Sequence, residues 1–378
     1  MPAELPPLRP FQKSAIELLE GGGNLVCVSP TGSGKSRIYE EILLRSRPRT
    51  LLFTPLLALA RQQESSLREM GIPAFGKFSA QARPRGRESG VWSLRPESLL
   101  HRGTWLRIRA WRPQFLVVDE CHCCWDWGET FRPAFRRLLD LASELRPECS
   151  LWLTATLPGP ARELLESRLS PRFLGEFDLP EGLRFRALRV PWPERSDALL
   201  GWLSRRQEPG IVFVSTREMS ERLARLVRVT GREALAYHAG LSKEERAAIE
   251  DRLRSGGSSG SEVVVATSAF GMGMHFPRLG WALLWQAPPS LLGLAQSIGR
   301  VGRGLVPAEA LMLWDEDDFR LIEWMAQGSR SRGRELAEVR EFVLQKSCRV
   351  RALREFFGAQ PREERCGRCD ACENFTRT

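Results

Sequence analysis

No stretch of the 378-residue chain approaches the ~18 consecutive apolar residues needed to span a bilayer. The best run, Leu51 to Ala60, is broken by Thr54 and Pro55, which excludes a membrane span. The first ten residues, MPAELPPLRP, lack a basic stretch leading into an apolar one, so no signal peptide is expected. Nine cysteines without a secretory signal point to a reducing, cytoplasmic setting, where clustered Cys more often means metal than disulfide. Repeats at solenoid period are lacking. The one low-complexity piece, SGGSSG at 255–260, is too short for an interdomain linker and reads as a flexible loop between a helix and a strand. Lysine is scarce, five of 56 cations, which is as easily a genome-composition effect as a functional choice.

What is present has globular proportions: 42% hydrophobic and 27% charged residues, with 32 Gly and 25 Pro. Collagen-like and disordered chains are thereby excluded. Length divided by about 150 suggests two to three domains, enough chain to bury a core without staples. The net charge of +10 favours polyanionic partners, nucleic acid or anionic lipid.

Short β-rich runs alternate with helical patterns in two stretches. In the first, Asn24–Val28, Thr50–Thr54, Phe115–Asp119 and Ser150–Thr154 read as buried parallel strands. In the second, Ile211–Val214, Leu235–Tyr237, Glu262–Ala266, Ala282–Trp285 and Ala310–Trp314 do the same, and Met219, Leu223, Leu226 and Val227 share a helical face between two of them. The pattern predicts the α/β class: two units in series, switching near Phe177–Pro193, where Pro and charge interrupt. Beyond about Asp315 the strand signals vanish. A helical stretch (Val339, Phe342, Val343, Val350, Leu353, Phe357) leads into a Cys cluster and predicts a small third unit.

The strand Asn24–Val28 runs into Ser29-Pro30-Thr31-Gly32-Ser33-Gly34-Lys35-Ser36 and then a helical pattern. In a strand–loop–helix setting the backbone N–H groups of residues 31–34 and the helix start can cradle phosphates. Lys35 then reaches the β/γ-phosphates, and the Ser36 hydroxyl coordinates Mg²⁺. Ser29 stands where the strict pattern has Gly; a plain glycine turn with a surface lysine is the alternative. The partner of such a loop is an acid at the end of a neighbouring apolar strand. Phe115–Val118 ends in Asp119-Glu120, with Asp119 holding Mg²⁺ through water and Glu120 polarising the attacking water.

Asp119-Glu120-Cys121-His122 resembles the DExH box of superfamily 2 helicases, and Cys123-Cys124-Trp125-Asp126-Trp127-Gly128-Glu129-Thr130-Phe131-Arg132-Pro133 resembles the aromatic-rich loop of RecQ DNA helicases. Leu8-Arg9-Pro10-Phe11-Gln12 is similar to the adenine-reading segment of that family, which implies that Gln12 bonds the base edge. Thr54–Leu59, Pro96-Glu97 and Thr154-Ala155-Thr156 resemble its other first-lobe motifs. So do Tyr237–Leu241, Ala266–Met274 and Gln296-Ser297-Ile298-Gly299-Arg300-Val301-Gly302-Arg303 in the second lobe. The resemblance covers nearly the whole chain. It implies two tandem RecA-like P-loop lobes, 1–176 and 177–316, parallel sheets flanked by helices, followed by a helical zinc-binding module, 317–378.

The last of these motifs has its own physics. Phosphoryl transfer needs cations on the transferring oxygens, and Arg offers an always-charged planar fork. Spacing of three predicts Arg300 and Arg303 on adjacent faces of one helical turn, acting with Gln296 on nucleotide bound by the first lobe once the lobes close. The alternative is that these arginines are solvated or bind nucleic-acid phosphates.

Trp125, Trp127 and Phe131, flanked by Arg132, are dense for a loop, and exposed rings can stack on unpaired bases. At least one ring is expected to pack inward and at least one to meet DNA. The resemblance implies that this loop couples DNA binding to hydrolysis. Glu129 stands where the family usually has His and Asp126 where it usually has Gln, and both add negative charge beside a polyanion site.

Cys366-x-x-Cys369-x-x-Cys372, with 17 residues between Cys348 and Cys366, supplies four thiolates for tetrahedral Zn²⁺ in charged surroundings. Disulfide pairing is the alternative; RecQ proteins have a zinc module in this place. Cys121, Cys123, Cys124 and His122 are too nearly consecutive to turn toward one ion. Cys27 reads as a small core residue and Cys149 stays ambiguous. His238 and His275 read as local hydrogen-bonding groups.

The expected activity is that of an ATP- and Mg²⁺-dependent motor moving on single-stranded DNA, 3′ to 5′ by resemblance, and unwinding forked duplex. The alternatives are a single-strand translocase that unwinds poorly, an RNA helicase, or a binding protein with a vestigial ATPase. Six residues follow Cys372, which reads as a short form without the winged-helix and C-terminal helical domains. A monomer in the cytoplasm (at the nucleoid in a bacterium) is expected, with single-strand-binding or repair proteins as candidate partners and no membrane.

Overall fold

The computed structural model describes residues 6–373 except 31, 56, 125–132, 256–261, 268–269, 271–277, 303–306, 326–329 and 361. Contacts divide it between Phe177 and Asp178 into two compact units.

The first unit holds β1 (Gly23–Val28), β2 (Thr50–Phe53), β3 (Ala74–Phe75), β4 (Val91–Leu94), β5 (Phe115–Val118), β6 (Cys149–Thr154) and β7 (Arg172–Leu174). They form one parallel sheet in the order β3-β4-β2-β5-β6-β1-β7. Successive residues of each strand enter opposite cores: Val26, Val28, Leu51, Phe53, Leu116 and Val118 on one face, Leu25, Cys27, Leu52 and Val117 on the other. Burial on both faces is why these strands read as unbroken apolar runs rather than as alternation.

The second unit holds β8 (Leu183–Arg189), β9 (Gly210–Phe213), β10 (Ala234–Tyr237), β11 (Val263–Ala266), β12 (Trp281–Leu284) and β13 (Ala308–Trp314), parallel in the order β10-β11-β9-β12-β13-β8. The helix Arg217–Val229 buries Leu223 and Val227 on this sheet, with Met219 and Leu226 packed beside them. All nine expected strands are present. The sequence reading missed β3, β4, β7 and β8. Within Phe177–Pro193, read as a break, Leu183, Phe185 and Ala187 are the buried positions of β8, while Arg184 and Arg189 stay exposed. Charge at alternate positions belongs to a strand at a sheet edge, not to a linker.

The helices Arg330–Leu344 and Arg349–Phe356 bury Val339, Phe342, Val343, Val350 and Leu353 as expected. They belong to the second unit, and Phe185 N donates to Arg368 O at 3.0 Å across the free edge of β8. The Gly/Ser stretch lies almost wholly in 256–261, outside the described residues.

Candidate nucleotide site and metal centre

β1 and β5 flank β6, so their carboxyl ends lie two strand spacings apart, about 10 Å. The loop after β1 ends in the helix Ser36–Ser46. Gly32 and Gly34 take left-handed φ values of 80° and 83°, and a Cβ on Gly34 would sit 2.7 Å from Gln12 Nε2. That close approach is a hydrogen bond: Gln12 Nε2 donates to Gly34 O at 2.8 Å, while its Oε1 accepts from Arg9 N at 2.8 Å. Arg9 Nη1 donates to Ser33 O at 3.1 Å. The segment at 9–12 is therefore strapped to the phosphate-type loop. Lys35 is buried, and its Nζ donates to Ser29 O at 2.9 Å and Pro30 O at 3.1 Å. Ser36 is half-buried at the start of the helix. Thr31 lies outside the described residues.

Asp119 follows β5 and is buried. Its Oδ1 accepts from Glu120 N at 3.0 Å and its Oδ2 from Gln63 Nε2 at 2.7 Å. Burial, with Glu120 adjacent, pushes its carboxyl up to about 7; the Lys35 ammonium and the two hydrogen bonds pull the other way. Glu120 has φ of 52°, a conformation that disfavours any side chain by about 1–2 kcal/mol. Strain of this kind gathers where a side chain must be aimed. His122 Nδ1 lies 3.2 Å from Glu120 Oε2 and 3.1 Å from Thr154 Oγ1. Thr154 Oγ1 already donates to Thr156 O at 2.6 Å, so it accepts from His122, and the carboxylate can only accept. Both contacts therefore place the proton on Nδ1. His122 ties the acidic turn after β5 to the turn after β6.

Gln63, on the helix Leu57–Glu69, is a site residue that the sequence reading missed. It is one Gln in a polar stretch of an amphipathic helix, and nothing local marks it. Only the packing of that helix brings its amide to Asp119. Trp125, Trp127, Phe131 and Arg132, the whole expected DNA-contacting set, lie outside the described residues.

Gln296 and Arg300 belong to the second unit, half-buried. The expected helical turn is not found at Arg300. The helix Leu291–Ile298 stops at Gly299, and Gly302 has φ of 73°. Two glycines within the motif end the helix before Arg300, which sits in the turn; Arg303 lies outside the described residues. His238 makes local bonds as expected: its Nδ1 accepts from Gly240 N at 3.2 Å, and its Nε2 faces Glu221 Oε1 at 3.3 Å. His275 lies outside the described residues.

The sulfurs of Cys348, Cys366, Cys369 and Cys372 lie within 4.8 Å of one another. Four sulfurs about 2.3 Å from a tetrahedral Zn²⁺ stand about 3.8 Å apart. Three of them accept backbone N–H bonds, Cys348 from Arg351 at 3.5 Å, Cys369 from Arg349 at 3.4 Å and Cys366 from Arg368 at 3.4 Å. Hydrogen bonds from Cys366 and Cys369 hold the Cys348 thiol far below its usual range, while the bond with Cys348 raises the Cys366 thiol to about 11. The set fits zinc: it is all-thiolate, largely buried and oriented by amides. Cys27, buried in β1, has a thiol pushed up to about 11 by desolvation, as suits a core residue. Cys149 is raised likewise by burial, with Glu148 adding to it.

Among known proteins, the model of the DEAD/DEAH box helicases matches residues 9–164, that of the helicase conserved C-terminal domain 194–304, and that of the RecQ zinc-binding family 316–373. The chain is 32% identical over 339 residues to the ATP-dependent DNA helicase RecQ of Synechocystis sp., covering 84% of this chain and 70% of that protein. It is 29% identical over 386 residues to the ATP-dependent DNA helicase RecQ of Pasteurella multocida, covering 96% of this chain and 60% of that protein. Among solved structures, the helicase Lhr of Mycobacterium smegmatis bound to ssDNA and AMP-PNP superposes with a TM-score of 0.62 at 22% identity, covering 89% of this chain and 48% of that one. Mss116p bound to ssRNA and AMP-PNP gives 0.66 at 16%, covering 86% and 73%. At such identities the likeness is one of fold. With two parallel-sheet lobes, a four-cysteine cluster and a 32% identical relative matched over 70% of its length, the chain belongs to the RecQ family of ATP-dependent DNA helicases.

Proposed function

We propose that this chain binds ATP at the loop after β1, hydrolyses it, and uses the turnover to move 3′ to 5′ along single-stranded DNA and open forked duplex. The observation that carries the reading is a buried Lys35 whose charge acts on an oriented, buried Asp119 at the carboxyl edge of one parallel sheet. In this reading Thr31 to Gly34 and the helix start hold phosphates, and Lys35 exchanges the carbonyls of Ser29 and Pro30 for phosphate oxygens. Ser36 and Asp119 are the residues that would hold Mg²⁺, which neutralises charge on the transferring phosphate when bound. Glu120 orients and deprotonates the attacking water, and His122 steadies Glu120. Gln12, with Arg9, presents its remaining amide valences to the base and feels the loop through Gly34.

We assign 1–176 and 177–316 to the two lobes of the motor and 317–378 to the zinc module. Closure of the second lobe brings Gln296, Arg300 and Arg303 to the phosphates, and Trp125, Trp127, Phe131 and Arg132 report the presence of DNA to the acidic turn. Cys348, Cys366, Cys369 and Cys372 hold a structural Zn²⁺, since four sulfurs leave no open position. The place of action is the cytoplasm or nucleoid, as a monomer; among the described residues no helix is long and apolar enough to cross a membrane.

The test is steady-state ATP hydrolysis with and without single-stranded DNA, alongside strand displacement from a 3′-tailed duplex. Stimulated hydrolysis with displacement is expected, and Lys35→Ala should lower turnover at least ~100-fold. Stimulation without displacement replaces unwinding by translocation alone. Turnover unchanged in Lys35→Ala would overturn the site assignment.

A further inference from the structure

The nucleotide site occupies the carboxyl edge of the first sheet, and the opposite edge is built quite differently. At that edge three helices hand over to the adjacent strands β2, β5 and β6, and each handover is an arginine in the left-handed region: Arg47 (φ 47°), Arg112 (φ 53°) and Arg146 (φ 43°). Glycine is the residue that this conformation favours. An L side chain there costs about 1 kcal/mol or more. The same device three times over puts three exposed guanidinium groups in a row along one rim, in strand order.

The row continues at β4. The loop before it, Gln81-Ala82-Arg83-Pro84-Arg85-Gly86-Arg87-Glu88-Ser89, folds on itself. Glu88 Oε2 accepts from Arg85 N at 3.0 Å and from Gln81 Nε2 at 3.1 Å. It is anchored to the rim by Trp111 Nε1 donating to Glu88 O at 2.9 Å and by Ser89 Oγ donating to Arg47 O. Its acid is thus occupied with backbone and amide donors, while Arg83, Arg85 and Arg87 are exposed. Arg49 behaves otherwise: its Nε donates to Trp111 O and Arg112 O at 3.1 and 3.0 Å, capping a helix. That contrast marks the other six as available for something outside the fold.

We infer that this rim is a second nucleic-acid contact, one that takes the phosphate backbone of a double helix at the end of the lobe remote from the nucleotide. Guanidinium groups bind phosphate oxygens bidentately whatever the base sequence. The rim arginines have no exposed aromatic among them, since Trp111 is buried, so the surface has no stacking platform for unpaired bases. The loop likewise carries no large apolar side chain to insert into a bilayer, which separates it from a membrane-binding arm.

Two variants of the full chain test this: Arg83→Gln/Arg85→Gln/Arg87→Gln, and Arg47→Gly/Arg112→Gly/Arg146→Gly. The measurements are anisotropy of a blunt 20-base-pair duplex across a salt series, thermal unfolding, and ATP turnover stimulated by single-stranded DNA. In each variant duplex binding should weaken about tenfold, with the slope of log K against log salt shallower by about 3. Single-strand-stimulated turnover should hold. The glycine variant should unfold at the same or a higher temperature, because it relieves the backbone. Arg→Lys at the loop positions should restore the slope. Unchanged duplex affinity and slope in both variants would overturn the inference. So would loss of binding to phosphatidylserine vesicles with duplex binding intact, since the rim would then be a lipid contact. An inactive ATPase with the duplex effect intact would sink the proposed motor but not this surface.

Discussion

Asp119 carries an electrostatic conflict in the first lobe. It is buried beside Glu120, so its proton is held up to about pH 7 although Lys35, Gln63 and the Glu120 amide favour the ion. The ordinary unfolded value lies near 3.9. A raised carboxyl stabilises the fold fully below that value, and the contribution drains away as pH climbs through about 7. Asp119→Asn, which removes the ionisation and keeps the shape, should therefore unfold with the wild type at pH 4 and above it at pH 8, by on the order of 2–4 kcal/mol without nucleotide or Mg²⁺. Thermal unfolding of both proteins at the two pH values decides it, and equal midpoints at pH 8 would remove the conflict. In the role proposed for it, the same burial strengthens the hold of a charged Asp119 on a cation.

At the scale of elements, the cysteine cluster works as a clasp on β8. Cys369 pairs with Phe185 as an isolated bridge, and Asp370 Oδ1 accepts from Ala187 N at 3.4 Å. Arg349 pairs with Asp370 at 3.3 Å. Asp178, where the second unit begins, meets Arg354 at 3.0 Å, Arg362 at 3.1 Å and Arg368 at 3.7 Å. Arg368 lies between two of the four cysteines and also donates to Pro180 O at 3.1 Å. The sulfurs thus organise the edge strand and the segment leading into it, not only their own short helix. Chelation of zinc, or Cys369→Ser, should lower the thermal midpoint of the second lobe while leaving nucleotide affinity of the first within about twofold. Calorimetry beside titration with a fluorescent ATP analogue checks both halves. A zinc-free chain with its midpoint intact would show that the cluster is not structural.

At the scale of the whole molecule, the residues proposed to act on the nucleotide are divided between two units: Lys35, Asp119 and Glu120 in the first, Gln296 and Arg300 in the second. On that proposal, binding is separable from turnover. Arg300→Ala should bind ATP within a fewfold of wild type yet hydrolyse it ~10²–10³-fold more slowly, because a cation acting on developing charge matters most in the transition state. Equal losses in affinity and turnover would place Arg300 in binding instead.

Much of this was legible in the residues themselves. A strand, a Gly-Ser-Gly-Lys-Ser turn and a helix are contiguous, so local backbone geometry alone dictates the glycine loop proposed to hold phosphates, and CxxC spacing gathers three of the four clustered sulfurs in the same way. Doubly buried strands announce themselves as apolar runs, which is why nine were found; β8 was missed because an edge strand alternates charge with apolar side chains. The helical reading of Arg300 failed because Gly299 and Gly302 break the helix inside the motif. Gln63 beside Asp119, Asp178 among three arginines and the rim of left-handed arginines had no signature at all. Each joins residues tens of positions apart in sequence, and only the crossover order of the parallel sheet brings them together. Chemistry held within one turn of chain is written in the sequence; partners drawn from different crossovers exist only once the sheet has closed.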